Sequence, residues 1–113
     1  MTRPADILLR EILRAISLIH EYTDGVSFDA FSPDVEKQDA VIRRLEIIGE
    51  AVKHLPDDLR ATYPNVPWRE IAGARDLLIH EYFRVDLSLL WEMVQNDLPK
   101  LASDISEILE GEV

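Results

Sequence analysis

Apolar residues return every three or four positions along most of this chain. No stretch alternates apolar and polar as a strand does, so the pattern predicts an all-helical protein. Ile7, Leu8, Ile12, Ile16 and Ile19 fall on one stripe of a first helix over about residues 4–22, with Pro4 in its first turn and Asp24-Gly25 as its stop. A turn or short helix over residues 27–31 follows, where Phe28 and Phe31 can tuck under neighbouring helices. Ser32-Pro33-Asp34 reads as a helix start, with Ser as N-cap, Pro in the first position and an acid beside the positive helix end. The helix it opens reaches Leu55, and its seam of Val41, Leu45, Ile48, Val52 and Leu55 advances in steps of 4, 3, 4 and 3. Pro56 ends it, and residues 57–63 form a short helix. The turn Pro64-Asn65-Val66-Pro67 leads into a third helical region over about residues 67–84. Asp86 then caps a last helix with Leu87, Leu90, Trp91, Val94, Leu98, Leu101, Ile105 and Ile108 on its seam. The seam continues through Pro99, which predicts a kink rather than a break. The sum is a four-helix bundle with short additional helices and a kinked last helix, one domain over residues 1–113.

Composition narrows the setting. There is no cysteine, which removes disulfides and thiolate metal sites. Asp6, Arg10 and Glu11 interrupt the one apolar run near the start, so no signal peptide is expected. Apolar runs are too short to span a membrane, and a cytoplasmic setting is the expectation. Net charge is −10, unevenly spread. Residues 1–85 carry 11 basic and 15 acidic side chains, whereas residues 86–113 carry Lys100 against seven acids. Such a chain repels a phosphate backbone at long range, so any nucleic acid must be held at a local basic site. Nine of the twelve basic residues are arginine, the residue suited to two-pronged pairing with phosphate.

Candidate chemistry concentrates in Arg75-Asp76-Leu77-Leu78-Ile79-His80-Glu81-Tyr82. On a continuous helix Asp76 and His80 share a face, so the carboxylate can orient the imidazole and favour its protonated form. Arg75 and Tyr82 lie two turns apart on one stripe, while His80 stands about 140° round from Arg75. These residue types suffice for RNA cleavage without a metal. The 2′-hydroxyl is the built-in nucleophile, His80 can take or give the proton, and Arg75 can grip the phosphate and stabilise its developing charge. The same residues also fit a plain surface ion pair at Arg75, a satisfied helix histidine at His80 and an amphipathic core-edge Tyr82. Leu18-Ile19-His20-Glu21-Tyr22 repeats Leu78-Ile79-His80-Glu81-Tyr82 letter for letter, with Arg14 six residues before His20. This first copy has Ala15 after its arginine and no acid four before its histidine, so the second copy is the better site. His20, His54 and His80 are too scattered for a metal site, and His54 reads as a cap at a helix end. Gly49 permits close helix contact, Glu50 can pair with Arg43 or Lys53, and Arg69 and Arg84 either enlarge a basic cleft or are solvated surface charges, the reading that burial statistics favour.

The second copy resembles the signature of the HEPN superfamily of ribonucleases, an arginine, a polar residue, three spacers and a histidine, with Asp76 as the polar residue. Its extension to His-x-Tyr is similar to the HepT-type toxins. The resemblance runs over nearly the whole chain: Gln38–Ala51 resembles that family's second-helix motif, Pro67–Gly73 its lead-in to the arginine, and Asp97-Leu98-Pro99 with Leu101 its last helix. It implies an α-helical homodimer with Arg75 and His80 of both subunits facing one cleft, cleaving RNA without metal or cofactor. It further implies a type VII-like toxin–antitoxin pair, in which a minimal nucleotidyltransferase antitoxin adenylylates the motif tyrosine, here Tyr82. Two other readings stand beside it: a non-catalytic helical adaptor that binds a nucleotidyltransferase or nucleotide, which the acidic charge favours, and a purely structural dimeric bundle.

Overall fold

A computed structural model describes residues 3–79 and 84–111, and within them the protein is all-helical. Helix α1 (Arg3–Thr23) packs on α3 (Val35–Lys53) and on the last helix, α8 (Leu98–Gly111). Between α1 and α3 lies α2 (Phe28–Phe31). Helices α4 (Asp57–Thr62), α5 (Trp68–Ala72), α6 (Ala74–Leu78) and α7 (Leu87–Glu92) complete the set, with a π-helical stretch, Met93–Asp97, joining α7 to α8. Leu9, Ile12, Ile16 and Ile19 of α1, Val41, Ile48 and Val52 of α3, and Leu98, Leu101 and Ile105 of α8 meet in the core.

Individual turns depart from expectation for local reasons. The stripe of α1 is rotated, so that Ala5, Leu9 and Ala15 are buried with Ile12, Ile16 and Ile19 while Ile7 stands exposed. Helix α1 ends at Thr23, and Gly25 follows with φ +72°, a left-handed geometry suited to glycine. Lys37 Nζ donates to the Tyr22 carbonyl at 2.6 Å, a cation at the negative helix end. The N-cap of α3 is Asp34 rather than Ser32: its carboxylate accepts from the Lys37 N–H at 3.0 Å. Ser32 instead closes α2, and buried Gln38 donates to the carbonyls of Phe31 and Ser32, satisfying the turn between the helices. Phe31 is fully buried, and both Phe28 and Phe31 pack on Trp91, with centroids 6.0 and 5.0 Å away. Helix α3 stops at Lys53; His54 is its C-cap, and its Nδ1 donates to the Glu50 carbonyl at 2.8 Å.

The last helical region carries Pro99 without interruption. Proline has no N–H for the Gln95 carbonyl, and the chain widens by one residue just before it, the Leu98 N–H bonding to the Met93 carbonyl. A π turn is how this seam passes its proline.

The third helical region differs most. It is two short helices divided at Gly73, and the second ends at Leu78. Ile79 is extended, with φ −102° and ψ 115°, and forms an antiparallel bridge with Val85. The Leu78 carbonyl accepts from the Asp86 N–H at 2.8 Å. Two β-branched residues pairing side by side therefore replace the predicted helix end.

Candidate active site

Helix α6 owes its place to α3. Gly49 of α3 lies against the end of α5: a Cβ built there would stand 3.1 Å from the Ala72 carbonyl oxygen and 3.5 Å from that of Ile71. The start of α5 is held by Trp68, which is buried and donates its Nε1–H to the Tyr63 carbonyl at 3.0 Å. These contacts set α5 and α6 close across α3. Gly49→Ala forces the two backbones apart and is expected to cost about 1–3 kcal/mol, read as a lowered Tm against wild type.

Arg75 is the second residue of α6, and its side chain is 47% exposed. Its Nε donates to Glu46 Oε1 of α3 at 2.7 Å. Glu46 Oε2 lies 3.7 Å from Nη1 of Arg43, one turn earlier on α3. Among the described residues, nothing else bonds the Arg75 guanidinium. Asp76, beside it, is exposed, and no hydrogen bond or ion pair joins its carboxylate to another described residue. Leu77 follows, 52% exposed, on the rim of an apolar groove of about 450 Å³ that runs between Leu45, Ile71, Leu89 and Leu98.

Of the residues singled out from sequence, Arg75 and Asp76 sit together on α6, whereas His80 and Tyr82 lie outside the described residues. The expected alignment of Asp76 with His80, and of Arg75 with Tyr82, required a continuous helix. That helix ends at Leu78, so the angle of about 140° between Arg75 and His80 no longer applies. The duplicate at residues 18–22 lies wholly inside α1, with His20 half-buried. Arg69 and Arg84 are exposed surface charges. Glu50 approaches Lys53, at 4.0 Å, while Arg43 turns to Glu46. Glu46 lies inside the Gln38–Ala51 motif, but no spacing rule ties it to Arg75, 29 residues away. Among the described residues, no group of three His, Asp or Glu side chains is placed to hold a metal ion, and no helix is long and apolar enough to cross a membrane.

The sequence profile described as "Ribonuclease HepT-like" matches residues 12–108. The chain belongs to that family. It is 45% identical over 108 residues to "Probable ribonuclease HepT" of Thermococcus cleftensis, covering 96% of this chain and 98% of that one. A protein of Caldanaerobacter subterraneus subsp. tengcongensis named "Putative RNase" is 45% identical over 104 residues, with 92% and 93% covered. A Methanocaldococcus jannaschii protein named "Gamma-glutamylcyclotransferase and putative RNase" is 50% identical over 110 residues, 97% of this chain. The chain spans half the length of that relative. No solved structure gives a significant match. The matched span contains Glu46, Arg75, Asp76, His80 and Tyr82.

Proposed function

We propose that this protein, acting as one domain over residues 1–113 in the cytoplasm, is a metal-independent endoribonuclease toxin of a toxin–antitoxin pair. The observation that carries the reading is Arg75. It is an exposed guanidinium, anchored by its Nε and with its Nη pair unused among the described residues, in a chain whose family is described as ribonuclease. His80 removes the proton from a ribose 2′-hydroxyl, whose oxygen attacks the adjacent phosphorus. Arg75 neutralises the phosphorane's added negative charge. The P–O5′ bond breaks, the 5′-oxygen takes up a proton, and a 2′,3′-cyclic phosphate remains. Asp76 supports the pair electrostatically. Cleavage of RNA in excess EDTA, with 2′,3′-cyclic phosphate ends on the products, is the expected result. Loss of cleavage on chelation, or 5′-phosphate products, would count against the mechanism.

In this reading the active form is a homodimer with both copies of Arg75 and His80 on one cleft; a sedimentation mass of twice the chain is the expected result, and a monomer mass would remove the shared cleft. The apolar groove beside α6 and exposed Leu77 offer the kind of surface a second copy covers. The partner is a minimal nucleotidyltransferase that adenylylates Tyr82, adding bulk and a negative phosphate close in sequence to Arg75 and His80. Protein co-expressed with that partner is expected to gain the mass of AMP on the peptide containing Tyr82. An unmodified Tyr82 in protein that the partner nonetheless silences would remove adenylylation from the scheme.

A non-catalytic adaptor that binds the nucleotidyltransferase is the second reading, favoured by the net charge of −10. Growth arrest on expression that His80→Ala does not relieve would favour it.

A further inference from the structure

Arg75 is held from a neighbouring helix. Glu46 accepts its Nε–H at 2.7 Å, and that contact stands on a fixed backbone. Gly49, three residues after Glu46, lies against the Ala72 carbonyl, three residues before Arg75. The close approach of α3 to α5 therefore also sets the spacing of the two side chains. Glu46 is only 33% exposed, so the carboxylate is the more confined of the pair.

Which edge of the guanidinium is occupied matters. With Nε taken, the remaining donors are the end-on pair Nη1 and Nη2, which can span two non-bridging oxygens of one phosphate. Charge permits this. Arg43 also borders Glu46, so the cluster of two arginines and one carboxylate stays at +1 within an acidic protein. A single exposed ion pair contributes little to folding, which leaves orientation as the physical consequence of this one.

We propose that Glu46 is a positioning residue for Arg75, taking its Nε–H so that the Nη pair is presented to the phosphate that reacts. The proposal rests on the ribonuclease reading above. Glu46 has two opposed effects. Its charge repels RNA, which weakens binding, whereas its acceptor oxygen orders the guanidinium, which speeds the step after binding. A residue with only a structural role would not separate these.

The test is steady-state cleavage of a labelled RNA oligonucleotide by wild type, Glu46→Gln, Glu46→Ala and Arg75→Ala, with the Arg75 Nε–H followed by NMR. Its signal is assigned by its absence in Arg75→Ala. Glu46→Ala is expected to lower kcat roughly tenfold to a hundredfold without raising KM. Glu46→Gln, which keeps the acceptor and loses the charge, is expected to recover most of kcat at a lower KM. An unchanged or raised kcat in Glu46→Ala overturns the proposal, and so does an equal loss in both variants. If wild type and Arg75→Ala are equally inert, the ribonuclease reading fails, and the NMR signal decides Glu46 separately. A wild-type Nε–H signal that shifts with a 2′-deoxy oligonucleotide and vanishes in Glu46→Ala keeps the positioning of a phosphate-binding arginine. A signal identical in Glu46→Ala removes that too.

Discussion

Replacing His80 by alanine is expected to lower RNA cleavage by about 10²–10⁴-fold, the range a positioned proton-transfer group contributes. His20→Ala is expected to leave the rate within twofold of wild type, though His20 stands in the same five-residue sequence. Initial rates on one RNA, in EDTA, with a thermal melt of each variant, make the comparison. The two histidines are separated by their surroundings. His20 sits in the last turn of α1, between Ile19 in the core and Thr23, whose Oγ1 bonds back to the Ile19 carbonyl at 2.9 Å. His80 follows directly on Ile79, where helical bonding has ended and the chain is extended, and α6 with Arg75 lies just before it. Equal losses in the two variants would mean that the activity responds to general destabilisation, and the assignment to His80 would be abandoned.

The second large effect is expected at Arg75. Arg75→Ala should reduce kcat/KM by about 10²–10³-fold, as for removal of one donor to a transition-state oxyanion. Arg75→Lys should recover little of it. Lysine keeps the charge but has neither an Nε–H for Glu46 nor a second donor fixed at phosphate spacing. Stability should change little in either variant, because the side chain is half exposed and a surface ion pair contributes about 0–1 kcal/mol. A lysine variant with near wild-type kcat/KM would mean that charge alone matters there, and the end-on phosphate geometry would be wrong. The inert variant should still melt as wild type does, and a large fall in Tm would assign Arg75 to the fold.

These expectations draw unequally on sequence and structure. The helices and their order were legible because burial on a helix leaves a period near 3.6 that survives in one chain read alone. The seams of α3 and of the α7–α8 region are the clearest cases, and the seam that continues through Pro99 marks it as lying inside a helix, where α8 holds it. The device that accommodates it, a π turn over Met93–Asp97, was not legible, since no residue there marks a change from one hydrogen-bond period to another. The start of α3 shows a different limit. Ser32, Pro33 and Asp34 are all good cap-region residues, and buried Gln38 bonding back to the Phe31 and Ser32 carbonyls belongs to a turn that leaves Asp34 as the cap.

The candidate site divides along the same line. Arg75, Asp76, His80 and Tyr82 could be chosen from sequence, because their chemistry and spacing lie within eight consecutive residues and the resemblance covers them. The pairing of Glu46 with Arg75 could not, although the resemblance covers Glu46 as well, because its distance from Arg75 along the chain has no period, and only the close packing of α5 on α3 at Gly49, with α6 following, brings the two together. The repeated pentapeptide makes the point most directly. Leu18-Ile19 continues a helix whose stripe is buried along its whole length, whereas at Leu78-Ile79 the same two letters leave the helix. Local propensity is identical in the two copies, so it cannot be what separates them. What does is the partner: Val85 and the Asp86 N–H take up Ile79 and the Leu78 carbonyl, and hydrogen bonds made across the chain outweigh the small helical preference of a few residues.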